Sequence, residues 1–258
     1  MALIKTIIDG REIEVERDRW ALDVARDMGI SIPTLCHHPA LEPYGACRLC
    51  VVEVTNGKWT WLTTSCDLPI REGLSIRTDT EAVKKSRKIA LELLLARAPE
   101  AQSLQLMAKE FGIEKPRFTV RHDIGKCILC GLCIRVCDQL VGASALGFVN
   151  RAARRRVGTP FDKASVTCIG CNACVAVCPT GHIVSVDKGS LRRMETWQTD
   201  LEMVACGMCQ KPYMPAKQFE QVQGRLGKGM TLEKLCPACL RSKTVSRMTA
   251  VAGAIIDK

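Results

Sequence analysis

Aromatic side chains make up only 4% of this 258-residue sequence, so there is little with which to stack on nucleic-acid bases. No apolar run approaches the roughly 20 residues that a membrane-spanning helix requires, and the longest, IALELLLARA, already carries Glu92 and Arg97. The opening stretch MALIKTIIDGREIEVERD is charged from the outset and lacks the apolar segment of a secretory signal. No G-x-G-x-x-G follows a strand-like run, no phosphate-binding loop is present, and GRLGKG has neither the order nor the context of one. The chain therefore offers no nucleotide site and no residue set for two-electron chemistry on a substrate.

Cysteine, by contrast, is abundant: sixteen residues. The chain is too long for the small disulfide-stapled secreted class, so the thiols are expected to be reduced, metal-binding and cytoplasmic. The formal charge of +10 counts every cysteine as neutral. Metal-bound cysteines are thiolates and would cancel much of that basicity.

Residues 3 to 16 form two β-branched runs around Asp9-Gly10, a strong hairpin signal. Helix-like WALDVARDMGI follows, with Gly29 where a helix would stop. Strand-like RLCVVEV and TWLTTSC then flank Asn56-Gly57, which predicts a β-β-α-β domain over residues 1–79. Residues 80–120 read as a helical linker, with two helices broken at Pro99 and no cysteine. A cysteine-dense domain over 121–190 and a tail over 191–258 complete an α+β chain.

The dense segment contains CILCGLCIRVC (Cys127, Cys130, Cys133, Cys137) and CIGCNACVAVCP (Cys168, Cys171, Cys174, Cys178). Both are C-x2-C-x2-C-x3-C, the bacterial two-cluster ferredoxin run, in which the fourth cysteine serves the other cluster. One 4Fe-4S cubane is thus expected on Cys127, Cys130, Cys133 and Cys178, and a second on Cys168, Cys171, Cys174 and Cys137. Gly131, Gly170 and Ala173 leave room for backbone to approach sulfide. Pro179 follows Cys178 as the pattern expects, whereas Asp138 follows Cys137.

The first set, CHHPALEPYGACRLC with SC, contains Cys36, Cys47, Cys50 and Cys66. Its C-x2-C half matches plant-type 2Fe-2S ferredoxins, but its first gap is longer. IDGREIEVERDRWALDVARDMGISIPTLCHHPALEPYGACRLCVVEV resembles the 2Fe-2S domain of the large iron–sulfur subunit of complex I and of the small diaphorase subunit of NAD-linked hydrogenases. The segment CILCGLCIRVCDQLVGASALGFVNRAARRRVGTPF is similar to the ferredoxin domain of the same families. The resemblance covers roughly residues 3 to 187 and implies a β-grasp domain holding one 2Fe-2S cluster on Cys36, Cys47, Cys50 and Cys66. It also implies a flavin- and NAD(P)H-binding iron–sulfur partner subunit and a terminal redox subunit or ferredoxin. The His-x3-Cys-x2-Cys-x5-Cys cluster that many members carry has no counterpart, since residues 67 to 126 contain His122 and no cysteine. His37 and His38 follow a ligand directly and raise a Rieske-like alternative, but four cysteines already satisfy the family spacing.

In the tail, Cys206 and Cys209 (CGMC) pair with Cys236 and Cys239 (CPAC) in a zinc-ribbon-like pattern with a longer than usual gap. Zinc is the first expectation, ahead of a further iron centre or no metal. The tail also resembles the cysteine tails of ferredoxin-like subunits of formate hydrogenlyases. RAARRR, residues 151 to 156, reads first as a solvated loop, then as a protein-partner surface, then as a nucleic-acid contact. The expected function is one-electron transfer as a non-catalytic subunit of an NAD(P)-linked oxidoreductase. The alternative is a cluster-bearing, redox-sensing nucleic-acid-binding protein.

Overall fold

The structure, a computed structural model, describes residues 3–122, 125–227 and 229–256. Strands β1 (Leu3–Ile8) and β2 (Arg11–Glu16) pair antiparallel through Asp9 and Gly10, both at positive φ. This is the backbone that a tight right-twisted hairpin needs. Helix α1 (Ala21–Asp27) follows, and Gly29 at φ 77° closes it: Ile30 N–H reaches Ala25 O and Gly29 N–H reaches Arg26 O, each at 2.9 Å. That pair of hydrogen bonds satisfies carbonyls left open at the helix end.

After a long loop come β3 (Val51–Thr55), β4 (Thr60–Thr64) and β5 (Ser75–Arg77). The sheet order is β2-β1-β5-β3-β4, with β5 parallel to β1 and antiparallel to β3. The β-β-α-β expectation therefore missed β5, the strand that joins the two hairpins. The run RLCVVEV enters the ladder only at Val51, and TWLTTSC leaves it at Thr64, where a short helical turn (Ser65–Asp67) carries Cys66. Ile8, Leu22, Val52, Val54 and Ile76 form the buried layer between sheet and α1.

Helices α2 (Glu81–Arg97) and α3 (Gln102–Glu110) separate at Pro99 as expected. Thr80 caps α2 by accepting from the Val83 N–H at 3.3 Å. These helices are core as much as linker. Leu91, Leu95 and Leu104 pack in one cluster with Cys36, Cys47 and Leu49 on one side and Ile128, Cys130 and Leu132 on the other. Arg87, buried on α2, donates from Nε and Nη2 to the Val51 carbonyl at 3.2 and 2.8 Å, which fixes the helix to β3 beside Cys50.

The cysteine-dense part contains the short helices α4 (Leu132–Arg135), continued by a wider turn (Val136–Val141), and α5 (Ala173–Ala176). Between them lies the hairpin of β6 (Gly147–Val149) and β7 (Arg156–Gly158). Strands β8 (Ser185–Lys188), β9 (Leu191–Met194), β10 (Thr199–Ala205) and β11 (Pro212–Pro215) make an antiparallel sheet in the order β11-β10-β9-β8. The 190/191 division expected between ferredoxin domain and tail falls inside the β8–β9 hairpin, and the sheet runs across it. Helix α6 (Ala216–Arg225) packs on β10 and β11, and α7 (Pro237–Ile256) follows. No helix among the described residues is long and apolar enough to cross a membrane.

Candidate metal centres

All sixteen cysteines are free of disulfides, and they fall into four groups. Cys36 and Cys47 lie in the long loop before β3, Cys50 abuts that strand, and Cys66 sits in the turn after β4; all four are buried. The loop closes tightly. A Cβ on Gly45, at φ 64°, would stand 2.7 Å from Asp67 Oδ2. The Ser65 N–H and hydroxyl both donate to the Cys50 carbonyl, at 3.0 and 2.9 Å. Cys47 N–H points at Cys36 Sγ, 3.3 Å away.

The thiols of this group interact in pairs, Cys36 with Cys47 and Cys50 with Cys66. Sharing a hydrogen bond with Cys36 pulls Cys47 down to about 6, and the same relation with Cys66 pulls Cys50 down to about 7. Their partners Cys36 and Cys66 are pushed up by those shared bonds and by burial. Holding all four as thiolates in this buried site takes a cation, which is what iron would supply. The His37 ring is buried and has contacts of its own, with Nε2 3.9 Å from Asp23 Oδ1 and Nδ1 3.3 Å from Arg26 Nη1. Burial first, then nearby Arg26, lowers its pKa.

Two further cavities sort the remaining upstream cysteines. One is lined by Cys127, Cys130, Cys133 and Cys178, the other by Cys137, Cys168, Cys171 and Cys174. Each combines three residues of one run with the fourth of the other. Gly131 and Gly170 sit at positive φ, and a Cβ on either would press on Tyr44 at 3.2 Å or on Leu201 and Pro215 at 2.9 Å. Burial raises Cys127, Cys130 and Cys133 in the first set and Cys137, Cys168 and Cys174 in the second, Cys130 to about 11 and Cys174 to about 12.

Trp197 lines both cavities. Its indole Nε1 is buried without a hydrogen-bond partner among the protein atoms, beside the Cys174 thiol whose ionisation it favours. An orphaned donor next to a ring of thiols fits a sulfide-bearing cluster, because sulfide and thiolate are the acceptors such a group would bring. Sequence reasoning missed this residue. Its only signal was a tryptophan shortly after the last of the two runs, in a chain with few aromatics.

The last group is the tightest. The sulfurs of Cys206, Cys209, Cys236 and Cys239 all lie within 4.8 Å of one another, and no other group of potential ligands among the described residues gathers as closely. Tetrahedral zinc with Zn–S of about 2.3 Å sets sulfur–sulfur separations of about 3.8 Å; Cys209 and Cys236 stand 3.8 Å apart. Cys206 and Cys209 occupy the β10–β11 turn, and Cys236 and Cys239 the start of α7. Gly207 N–H donates to Lys234 O at 2.7 Å and Cys236 N–H to Cys206 Sγ at 3.3 Å, which clamps the two pairs together. Backbone N–H groups of Cys209 and Cys236 lower Cys206 to about 6, whereas sharing with Cys236 and Cys209 raises Cys239 to about 12.

The pattern described as "2Fe-2S iron-sulfur cluster binding domain" matches residues 2–81, and that described as "4Fe-4S dicluster domain" matches residues 167–212. The chain is 30% identical to an NADH-quinone oxidoreductase subunit of Rhizobium meliloti over 91% of its own length and 30% of that protein. It is also 30% identical to the alpha subunit of an NADPH-Fe(3+) oxidoreductase of Geobacter sulfurreducens, over 80% of its length and 27% of that protein. It thus spans about a third or less of these curated relatives. Among solved structures it is similar to a chain of an NAD+-reducing [NiFe]-hydrogenase in the H2-reduced state, with TM-score 0.53 and 30% identity. That match covers 61% of this chain and 75% of the other.

Proposed function

Because the chain belongs to the family of iron–sulfur subunits of NAD(P)H-linked oxidoreductases, we propose that it conducts single electrons between a flavin- and NAD(P)H-binding subunit and a terminal redox subunit or ferredoxin, and turns over no substrate itself. The observation that carries this reading is the lining of the two neighbouring cavities, each with four cysteines in the crossed arrangement of a two-cluster ferredoxin. Cys127, Cys130, Cys133 and Cys178 would hold one 4Fe-4S cluster, and Cys168, Cys171, Cys174 and Cys137 the other. Cys36, Cys47, Cys50 and Cys66 would hold a 2Fe-2S cluster on a β-grasp domain, a name that suits the sheet order β2-β1-β5-β3-β4.

When bound, the clusters supply one-electron storage at fixed positions. The protein does the rest. Leu91, Leu95, Leu104 and Leu132 exclude water from the region where Cys36 and Cys47 approach Cys130. Buried backbone and indole N–H groups supply the dipoles that set each potential. The tail cysteines Cys206, Cys209, Cys236 and Cys239 would hold one Zn2+, a structural role that suits their close spacing. The working location is the cytoplasm, where such thiols stay reduced.

The test is metal content together with reducibility. Anaerobically prepared protein should contain about ten irons and one zinc per chain, take electrons from dithionite and remain silent with NADH until a flavoprotein subunit is added. About fourteen irons without zinc would place a cubane in the tail instead. Steady NADH-to-dye activity from the isolated, flavin-free chain would overturn the proposal.

A further inference from the structure

The arginine-rich turn expected to be a solvated loop is braced against the rest of the protein. Arg97 donates through Nε to the Cys127 carbonyl at 3.2 Å and through Nη2 to the Arg155 carbonyl at 2.8 Å, so one side chain ties the turn to a cysteine of the first cavity. Arg121 Nη1 donates to the Ala153 carbonyl at 2.5 Å. Arg155 lies flat on Phe148, 4.0 Å from the ring centroid. A merely solvated run would need none of these ties.

Beneath the turn a cleft opens, lined by Arg121, Arg154, Arg155, Arg156, Cys127 and His182 among others, with no carboxylate among the described lining residues. Arg156 is paired with Asp162 outside that lining. Arg151 and Arg154 are exposed and meet no carboxylate among the described residues. Like charges held this close repel one another, and that repulsion is relieved by a negative partner. Beside Asp162, Phe161 is 90% exposed at φ 57°, an aromatic in a backbone conformation that non-glycine residues rarely adopt.

We propose that this cleft is the docking site of a small acidic one-electron carrier protein, with Arg151 and Arg154 steering it and Phe161, next to the Asp162 that pairs with Arg156, supplying an apolar anchor. The inference rests on the iron–sulfur reading above and adds where electrons enter or leave: Cys127, which would hold one centre, lines an open cationic cleft. The exchange makes and breaks no bond. One electron passes between the centre held in part by Cys127 and the carrier, so that one is oxidised as the other is reduced. A single-stranded nucleic acid stacks successive bases on several free aromatic faces, whereas here Phe148 is covered by Arg155 and Phe161 is left as a single exposed ring.

The experiment uses the full chain with its metals, a purified acidic 2Fe-2S ferredoxin as probe, and stopped-flow and calorimetric binding. At about 0.01 M ionic strength, where charges act over about 30 Å, Arg151→Glu/Arg154→Glu should slow association by about tenfold or more. At about 1 M, where screening falls to about 3 Å, the difference should vanish. Phe161→Ala should speed dissociation at either salt concentration. All variants should retain the wild-type electron paramagnetic signals. A double variant that associates as fast as wild type at low salt overturns the proposal. So does a fully metallated wild-type chain that ignores the ferredoxin, or that binds a single-stranded RNA oligonucleotide in its place. Failure of the underlying reading looks different: the chain would then lack the iron signals themselves.

Discussion

Arg135 Nη2 donates to the carbonyl of Cys36 at 2.8 Å, a bond that spans 99 positions of sequence. The same guanidinium reaches the Glu42 carbonyl and lies 5.2 Å from the centroid of Tyr44, whose ring in turn packs on Gly131. A residue between Cys133 and Cys137 thus holds the loop that carries Cys36 and Cys47. The first and second cysteine groups are joined through this side chain as well as through the leucine core. Arg135→Met should remove bonds worth about 1–3 kcal/mol and, by deleting a cation beside Cys36, shift the 2Fe-2S midpoint potential to a more negative value. Arg135→Lys keeps the charge and loses the fork, so its potential should shift less. Redox titration followed by electron paramagnetic resonance checks this, and an unshifted potential in the methionine variant, with iron content intact, would contradict it.

The crossed cavities make an assignment that spectra can separate. Cys137 lines the cavity of Cys168, Cys171 and Cys174, and Cys178 that of Cys127, Cys130 and Cys133. Cys137→Ser should therefore perturb the same signal as Cys171→Ser and spare the one lost in Cys130→Ser. If Cys137→Ser and Cys130→Ser instead give the same spectrum, the crossed assignment is wrong.

What the sequence made legible followed from short-range rules. Asp9-Gly10, Gly29 and Pro99 punctuate the chain where backbone geometry demands it, and the spacing of the cysteine runs anticipates which thiols line each cavity. Strand β5 was hidden because three residues with one buried side chain, Ile76, carry no periodicity; its place is set by pairing with β1 and β3. The β8–β9 hairpin around position 190 was hard to read because its strands are four residues each and carry charge at adjacent positions, Asp187-Lys188 and Arg192-Arg193, with no apolar–polar alternation. The contribution of Trp197 and Arg135 to the cysteine cavities was likewise out of reach, since only the folded chain brings them there.

Trp197 gives a prediction about tuning. Its buried Nε1 has no protein partner and stands beside Cys174, with the ring against both cavities. An N–H donated to cluster sulfur favours the more negative, reduced state. Trp197→Phe retains most of the packing and removes the donor, so the centre of Cys168, Cys171, Cys174 and Cys137 should become harder to reduce. The test is the midpoint potential of that signal compared with the other 4Fe-4S signal. Equal potentials in wild type and variant would mean the indole serves packing alone.

The tail supplies the last prediction, and its sheet decides the form. Four sulfurs within 4.8 Å hold the β10–β11 turn to the start of α7, a small region with few buried apolar side chains. A metal held by these four sulfurs would be the main source of local folding energy. Yet β10 also pairs with β9, and Leu201 and Met194 belong to the core around the cavities that hold the second cysteine sets. Loss of the tail metal should therefore loosen α6, α7 and β11 while β8, β9 and the first part of β10 stay anchored. Cys206→Ser and Cys239→Ser, or treatment with a zinc chelator, should release about one zinc per chain and leave all three iron signals in place. Hydrogen exchange should rise across residues 206–249 and not across 185–201. Loss of a paramagnetic iron signal in either variant would mean that the tail is a redox centre, and unchanged exchange after zinc removal would mean that the metal does not hold it together.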